Sequence, residues 1–548
     1  MPNLARLKPL TSVLWACGLG VALTTACGGG SGGTAAGGTG GKGGSVAAGT
    51  GGAAGMTAGA AGSAVGGAGG KGGTLATGSG GAGGGSAGAA AGGKSGAGGS
   101  AVAGAAGTGG AGGAVGTGGA GGAAGAGGAS TGVVLDGCAG YTAGPIIRPA
   151  GQYGNPNGLS AAGDDTCVTF PSGAVACWGA DDQGQLGDCS TTPRPSPGII
   201  AGLPSTTDPL LSMSAHRACF VAITGSASGP VLCWGPGPPT VIAGMPPSNG
   251  VNVADDHACA STTASANLYC WGDNTYGQLG DGTTNSSTTA VAVVGLPTYI
   301  WQNVGSDVTC GWDFKTSSWC WGRNTDGQLG DGTTTSKSVP LQILPGPAIN
   351  PFPVGRHIFW YDSTPNLFCS GTGACGDGGG PSSVRLKPTQ IALSSWARSN
   401  PAGSDQATCL ILGDFSVACW GSNGHGQLGD GTMVDRFTPA AVLLPSGIQG
   451  QYIYSTTDGS SFFLITTDYT LYAWGRNDRG QLGDGTTTDR STPVPVMGIG
   501  ASLVVAAGAS HVCAISSELV VQCWGGNSSG QLGDGTFVDR PTPVTVTF

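Results

Sequence analysis

Charge is what this 548-residue sequence has least of. Only 9% of its residues are Asp, Glu, Lys or Arg, against roughly 25% in an ordinary soluble protein. Its 20 basic residues form no run, and the formal balance is −9. Binding carried by phosphate contacts needs clustered Lys and Arg, so the sequence argues against a nucleic-acid partner. Histidine is scarce, at 5, and the 18 cysteines contain no C-x-x-C pair. Metal sites are built from such pairs with histidines nearby, so no metal is expected. Many cysteines without metal spacing point to disulfides, and so to a compartment outside the cytoplasm. There is no triad, no paired acids and no phosphate loop, so neither catalysis nor a cofactor is expected.

Glycine is in excess, with 112 residues, most densely before about residue 131. Ahead of that region, Arg6 and Lys8 precede an apolar stretch from Leu10 to Ala26. A basic start, an apolar core and small residues at a cut make a secretory signal over residues 1–26. A membrane-spanning helix is the rival reading, but the stretch is short and broken by Ser, Thr and Gly. Thr24-Thr25-Ala26-Cys27 resembles a bacterial lipoprotein processing site. That resemblance implies lipidation of Cys27, although Thr24 stands where the pattern has Leu. Leu14-Trp15-Ala16-Cys17 has its Leu correctly placed but leaves too short an apolar core. Ordinary cleavage without lipid is the alternative. Residues 27–133 are almost all Gly and Ala, with Lys42, Lys71 and Lys94 the only charges. Such a segment cannot bury enough apolar surface to offset its ordering entropy, so a disordered linker is expected. As a Gly-rich coil of about 100 residues it would span roughly 50–60 Å.

Residues 134–548 repeat themselves. The marker Cys-Trp-Gly occurs at Cys177-Trp178-Gly179, Cys233-Trp234-Gly235, Cys270-Trp271-Gly272, Cys320-Trp321-Gly322, Cys419-Trp420-Gly421 and Cys523-Trp524-Gly525. Ala473-Trp474-Gly475 is the same marker without its Cys, and Cys369-Ser370-Gly371 sits where an eighth is due. A second signature, G-Q-L-G-D-G-T, starts at Gly277, Gly327, Gly426, Gly480 and Gly530, with a weaker copy at Gly184. A Pro-led apolar run follows, as in Thr492-Pro493-Val494 and Thr542-Pro543-Val544. Short β-prone runs alternating with Gly and Asp-Gly turns make each unit a small antiparallel sheet. Units that cannot bury both faces alone assemble side by side into a propeller.

These motifs resemble the RCC1 repeat family, over about residues 140–548. The resemblance implies an all-β fold, a β-propeller of seven or eight blades, since the family usually has seven and eight units are present. The second unit lacks G-Q-L-G, and the fifth has Cys369 to Gly380 in place of the W-G and its turn. Relatives in this family include guanine-nucleotide exchange factors on chromatin and secreted inhibitors or sensors that bind proteins. Exchange does not suit an exported, acidic chain without a basic tail.

Most units hold a second Cys upstream of the marker, giving Cys167/Cys177, Cys219/Cys233, Cys259/Cys270, Cys310/Cys320, Cys409/Cys419 and Cys513/Cys523. The seventh unit has Phe463 and Ala473 there, so both cysteines are missing together. Joint presence and joint absence are what a bonded pair requires, and adjacent strands would place the two opposite each other. Cys369 with Cys375, and Cys138 with Cys189, would use the remaining cysteines. Reduced cysteines packing as small hydrophobes are the other possibility.

The Asp of each G-D-G-T run (Asp281, Asp331, Asp430, Asp484, Asp534) is read as a turn residue, because a calcium loop needs several oxygen ligands at close spacing. His216, His257 and His511 recur just before the first Cys of a unit and read as structural, His425 lies in a turn, and His357 shows no carboxylate partner in a motif. The sequence therefore reads as a monomeric binding scaffold at the bacterial envelope, touching membrane only through an N-terminal lipid, or else secreted. Its partner would be a protein or surface glycan, met by loops that differ between units: Thr224–Pro230, Asn285–Thr289, Thr335–Pro340 and Cys369–Pro381. An extracellular enzyme acting on polysaccharide or cell-wall material is the alternative.

Overall fold

The computed structural model of the chain describes residues 156–548, apart from 207, 224–227, 263–266, 298–300, 314–316, 344–347 and 363. The signal, Cys27, the Gly/Ala linker and Cys138 lie outside the described residues.

Eight four-stranded antiparallel sheets follow one another along the chain. They are the blades of a β-propeller, at residues 158–199, 208–241, 248–292, 301–342, 348–390, 402–441, 450–495 and 502–545. Each blade is contiguous in sequence, and its strands pair in chain order. Among the described residues, no strand is exchanged between blade 8 and blade 1. Blade 8 meets blade 1 side by side, as any two neighbours do: Phe548 sets its ring edge-on against Phe170, and Ala509 donates its N–H to the Gly163 carbonyl.

There is no single hydrophobic core. Eight apolar clusters lie between neighbouring blades, one at each junction. The period-2 alternation of a strand explains this. In the second strand of blade 8, Val512 and Ala514 face blade 7, while Cys513 and Ile515 face blade 1. A blade on its own would expose both apolar faces, so neighbours stabilise each other and only a closed ring covers all of them.

The paired cysteines sit directly opposite each other on the second and third strands, in the register Cys167↔Cys177, Cys259↔Cys270, Cys310↔Cys320, Cys409↔Cys419 and Cys513↔Cys523. Cys219↔Cys233 does the same in blade 2. All six pairs are disulfides with Cα atoms 4.1 Å apart. Blade 7 places Phe463 opposite Ala473 in that register, and the ring fills the space of a disulfide. In blade 5, Phe359 faces Cys369, so Cys369 bonds Cys375 instead. Cys189 is also disulfide-bonded.

Candidate functional site

The two sequence signatures are halves of one joint. The marker tryptophan of a blade is buried against the preceding blade and donates its indole N–H to the carbonyl of that blade's G-Q-L-G glutamine. Trp321 reaches Gln278 O at 2.9 Å, Trp474 reaches Gln427 O at 2.9 Å, and Trp524 reaches Gln481 O at 2.9 Å. Trp234 reaches Gln185 O at 3.0 Å, and Trp178 closes the ring on Gln531 O at 2.9 Å. The second glycine of the motif is needed there. At Gly280, φ is +70°, and a Cβ would stand 2.5 Å from Trp321 Nε1. The motif is written in one blade and read by the next.

The rest of the loop is tied by a residue the sequence reading passed over. Asn274, Asn324, Asn423, Asn477 and Asn527 are fully buried. Each accepts the leucine N–H of its own G-Q-L-G through Oδ1, as Asn274 does from Leu279 at 2.9 Å. Each also donates Nδ2–H to the G-D-G-T aspartate, at 3.1–3.2 Å. The five Asn lie three residues before the first glycine of the turn and five before its leucine, in identical spacing, a signal that was visible. The aspartates accept from the Thr two residues on, as Asp281 does from the Thr283 N–H at 2.9 Å, which is an Asx turn. A cation six residues further on pairs with four of them, in Lys337–Asp331, Arg436–Asp430, Arg490–Asp484 and Arg540–Asp534.

Blade 5 corrects the sequence reading. Its turn is present as Gly373-Ala374-Cys375-Gly376-Asp377-Gly378, three residues closer to the marker than elsewhere. Ala374 O accepts the Trp420 indole N–H at 2.7 Å, and Asp377 pairs with Arg385. The missing marker tryptophan is replaced from a different strand. Trp360 fills the cluster between blades 4 and 5, while Ser370 Oγ donates to Gln328 O at 2.6 Å. Blade 2 has no turn, and among the described residues Trp271 makes no such bond to it.

Antiparallel order places the turns between first and second strands at the same end of the ring as the loops between third and fourth strands. Three of the variable loops named from the sequence, Asn285–Thr289, Thr335–Pro340 and Cys369–Pro381, follow third strands and share that end. Residues 224–227 of the fourth, Thr224–Pro230, lie outside the described residues.

At the end that carries the G-Q-L-G loops lies a depression of about 490 Å³, lined among others by Ser306, Phe352, Gly355, Asp405, Gln406 and Asp458. Asp405 organises its floor. Arg356 donates its backbone N–H at 2.6 Å and its Nε–H at 3.2 Å to this carboxylate, and His357 Nδ1 stands 3.4 Å away. Burial pushes the Asp405 carboxyl up, but the His357 and Arg356 contacts outweigh it and hold it below the usual range. His357 thus has a carboxylate neighbour that no local motif announced, 48 residues along the chain. The imidazole is fully buried beneath the depression, which denies it contact with a substrate.

Two of the other histidines are pegs between blades. His257 Nε2 meets Thr309 Oγ1, and His511 Nε2 meets Thr166 Oγ1, both at 2.8 Å. Burial pushes His257 down to about 3 and His511 down to about 4, so both are neutral. His216 is exposed in a turn, and His425 Nδ1 lies 2.7 Å from Asp489. Around the same end, Asp256 is raised by burial and by Asp307 and Asp255 beside it. No group of three or more His, Cys, Asp or Glu among the described residues could hold a metal ion.

The Regulator of chromosome condensation (RCC1) repeat matches residues 265–315, 318–354 and 470–515. The Ultraviolet-B receptor UVR8 of Arabidopsis thaliana is 27% identical over 362 residues, covering 61% of this chain and 80% of that protein. The human E3 ubiquitin-protein ligase HERC2 is 38% identical over 101 residues, which are 18% of this chain and 2% of the ligase. The chain thus spans a very small part of that enzyme. Among solved structures, human WBSCR16 superposes with a TM-score of 0.50 at 20% identity, covering 62% of this chain and 98% of that one. At that identity the likeness concerns the fold.

Proposed function

Because this chain is an eight-bladed propeller of RCC1 repeats, we propose that it is a scaffold that binds another protein on the end of the ring bearing the depression. The observation that carries the reading is the electrostatics of that end. Burial first, and then the charges of Asp307 and Asp255 beside it, raise Asp256, and among the described residues only Asp307 of the three has an ion pair, with Arg323. Carboxylates that repel one another on the end of the ring that bears the depression are relieved by an incoming cation, so the surface suits a partner with exposed Lys or Arg. The seven disulfides among the described residues fit an oxidising compartment. With the signal and Cys27 ahead of it, the scaffold would be displayed on the bacterial envelope by a lipid.

Two measurements test this. Full-length protein is used to capture partners from envelope extracts, comparing wild type with Asp255→Lys/Asp307→Lys and with Asp414→Lys/Asp468→Lys at the other end. Capture lost only in the first variant supports the surface, and equal loss or retention in both overturns it. Cys27→Ser should move the protein from the membrane fraction to the soluble one. Wild type already found in the medium would remove the anchor from the reading.

A further inference from the structure

Blade 1 differs from every other intact blade at the residue that ties its turn. Where five blades have a buried Asn, blade 1 has Asp181, which is also fully buried. Its Oδ1 accepts the Leu186 N–H at 3.0 Å, as the Asn Oδ1 does elsewhere. Its Oδ2 stands where the Asn Nδ2 stands, facing Asp188, the aspartate of the same turn. An amide donates at that place. A carboxylate cannot, and Oδ2 is buried with no donor to accept from. Asp188 is already engaged by Arg194 at 2.8 Å and by the Ser190 N–H at 3.0 Å. A second buried acid lies beside it. Asp165 begins the second strand opposite Gly179, the place that His257 and His511 take opposite Gly272 and Gly525. Both its carboxyl oxygens are buried without a well-formed hydrogen bond; the Gln185 amide, which also gives an N–H to Asp182 at 3.0 Å, is the donor at hand and only partly offsets the burial.

We propose that blade 1 is a proton-dependent latch: Asp181, as a neutral carboxylic acid, donates its O–H to Asp188 in place of the missing asparagine, and surrender of that proton to solvent loosens the turn. Ionised, Asp181 and Asp188 become two carboxylates in one buried turn, and Asp165 adds a third negative charge next to them. Burial, first, and the neighbouring acids, second, push both Asp165 and Asp181 up to about 8. The other charged and titratable groups around them are Asp164, Asp182 and Arg194 of blade 1, His216 of blade 2 beside Asp182, Arg479 of blade 7 beside Asp164, and His511 across the closure. Arg194 favours ionisation of Asp181, but it is spent on Asp188.

The latch sits where it matters. The blade 1 turn holds Trp234, and a Cβ on Gly187 would stand 2.7 Å from that ring. Blade 2 has no turn of its own to hold blade 3. Among the described residues, its marker joint to blade 1 is therefore its only one. The sign follows from linkage: a carboxyl raised in the folded state contributes stability that is full below its unfolded value and is lost as pH rises through about 8. The scaffold would be tight in mildly acidic surroundings and looser at blades 1 and 2 in alkaline ones.

The experiment is amide hydrogen exchange on the full, oxidised chain from about pH 6 to about pH 9, corrected for base catalysis. Leu186 is compared with Leu279, the same amide in the Asn-tied blade 3. Protection of Leu186 should fall with pH while Leu279 stays level. Asp181→Asn should make Leu186 behave like Leu279, and Asn274→Asp should install the fall at Leu279. Equal pH profiles for the two amides in wild type would overturn the latch. So would an Asn274→Asp protein whose Leu279 stays level, which keeps the test decisive even if Asp181→Asn misfolds.

Discussion

Blades 2 and 5 depart from the repeat in opposite ways. Blade 5 lost its marker tryptophan and kept a turn, whereas blade 2 kept Trp234 and lost the turn. At blade 5 both junctions survive: Trp360 and Ser370 together do on one side what one tryptophan does elsewhere, and Ala374 O still holds Trp420 on the other. At blade 2 the junction to blade 1 survives through Gln185, while Trp271 packs against blade 2 without a carbonyl to hold. The contrast shows that the structural unit is the joint between blades. A joint tolerates exchange of the residue that fills it as long as volume and one hydrogen bond are supplied. It is weakened when the chain that would supply them is deleted.

Substituting the two tryptophans breaks or sharpens this contrast most strongly. Trp420→Ala removes a fully buried ring and its bond to Ala374, and should lower stability by about 3–5 kcal/mol in urea unfolding. Trp271→Ala should cost less, by about 1 kcal/mol, the worth of the missing hydrogen bond. Equal costs would mean that the clamp adds nothing to packing.

Next come the cross-links. Cys513→Ala/Cys523→Ala opens a bridge between residues 10 apart and should cost up to about 3 kcal/mol. Cys369→Ala/Cys375→Ala should cost about 2 kcal/mol, for a shorter loop, and should also disturb Trp420 fluorescence, because Cys375 adjoins Ala374 in the turn that holds it. Unreduced mass spectrometry should find these links in exported protein. Blade 7, with Phe463 and Ala473, is the internal control and should show unchanged local hydrogen exchange on reduction.

A smaller effect is expected from Ser370→Ala. It leaves Gln328 O without its donor while Trp360 stays in place, so the loss should be about 1 kcal/mol. A loss as large as that of Trp420→Ala would show that the serine, rather than the displaced ring, carries the blade 4–5 joint. The smallest expected change is the net pH dependence of the melting temperature. Asp165 and Asp181, raised to about 8, lose their contribution as pH rises, while His257 and His511, lowered to about 3 and about 4, lose theirs as pH falls below the ordinary histidine range. The two trends oppose each other in acid, so the melting temperature should be nearly level there and fall from about pH 6.5 to about pH 8.

Much of this was legible because it is local. The C-W-G and G-Q-L-G-D-G-T strings, the 10- to 14-residue spacing of the cysteines and the joint loss at Phe463 and Ala473 all reflect one hairpin or one turn, whose residues are near in sequence because they are near in space. The Asx role of Asp281 and its fellows follows from the same locality. The blade 5 turn was missed because a three-residue deletion moved it and Ala374 and Cys375 replaced Gln and Leu. The carbonyl that binds Trp420 belongs to the backbone, and a backbone carbonyl leaves no mark in a sequence. The Asn row was missed because a buried Asn looks like any loop Asn until its four partners are known.

By itself, the sequence determined the repeating unit, its strands and turns, and which cysteines face each other, since each of these is set within some dozen neighbouring residues. It took the folded ring to fix that there are eight blades, that blade 8 meets blade 1 without exchanging a strand among the described residues, that Trp360 stands in for a tryptophan absent ten residues later, and that His357 lies beside Asp405. The reason is that every core in this molecule lies between two blades. What fills such a space depends on the summed volume and hydrogen-bonding capacity of residues about fifty apart, and neither quantity is written in the order of residues within one repeat.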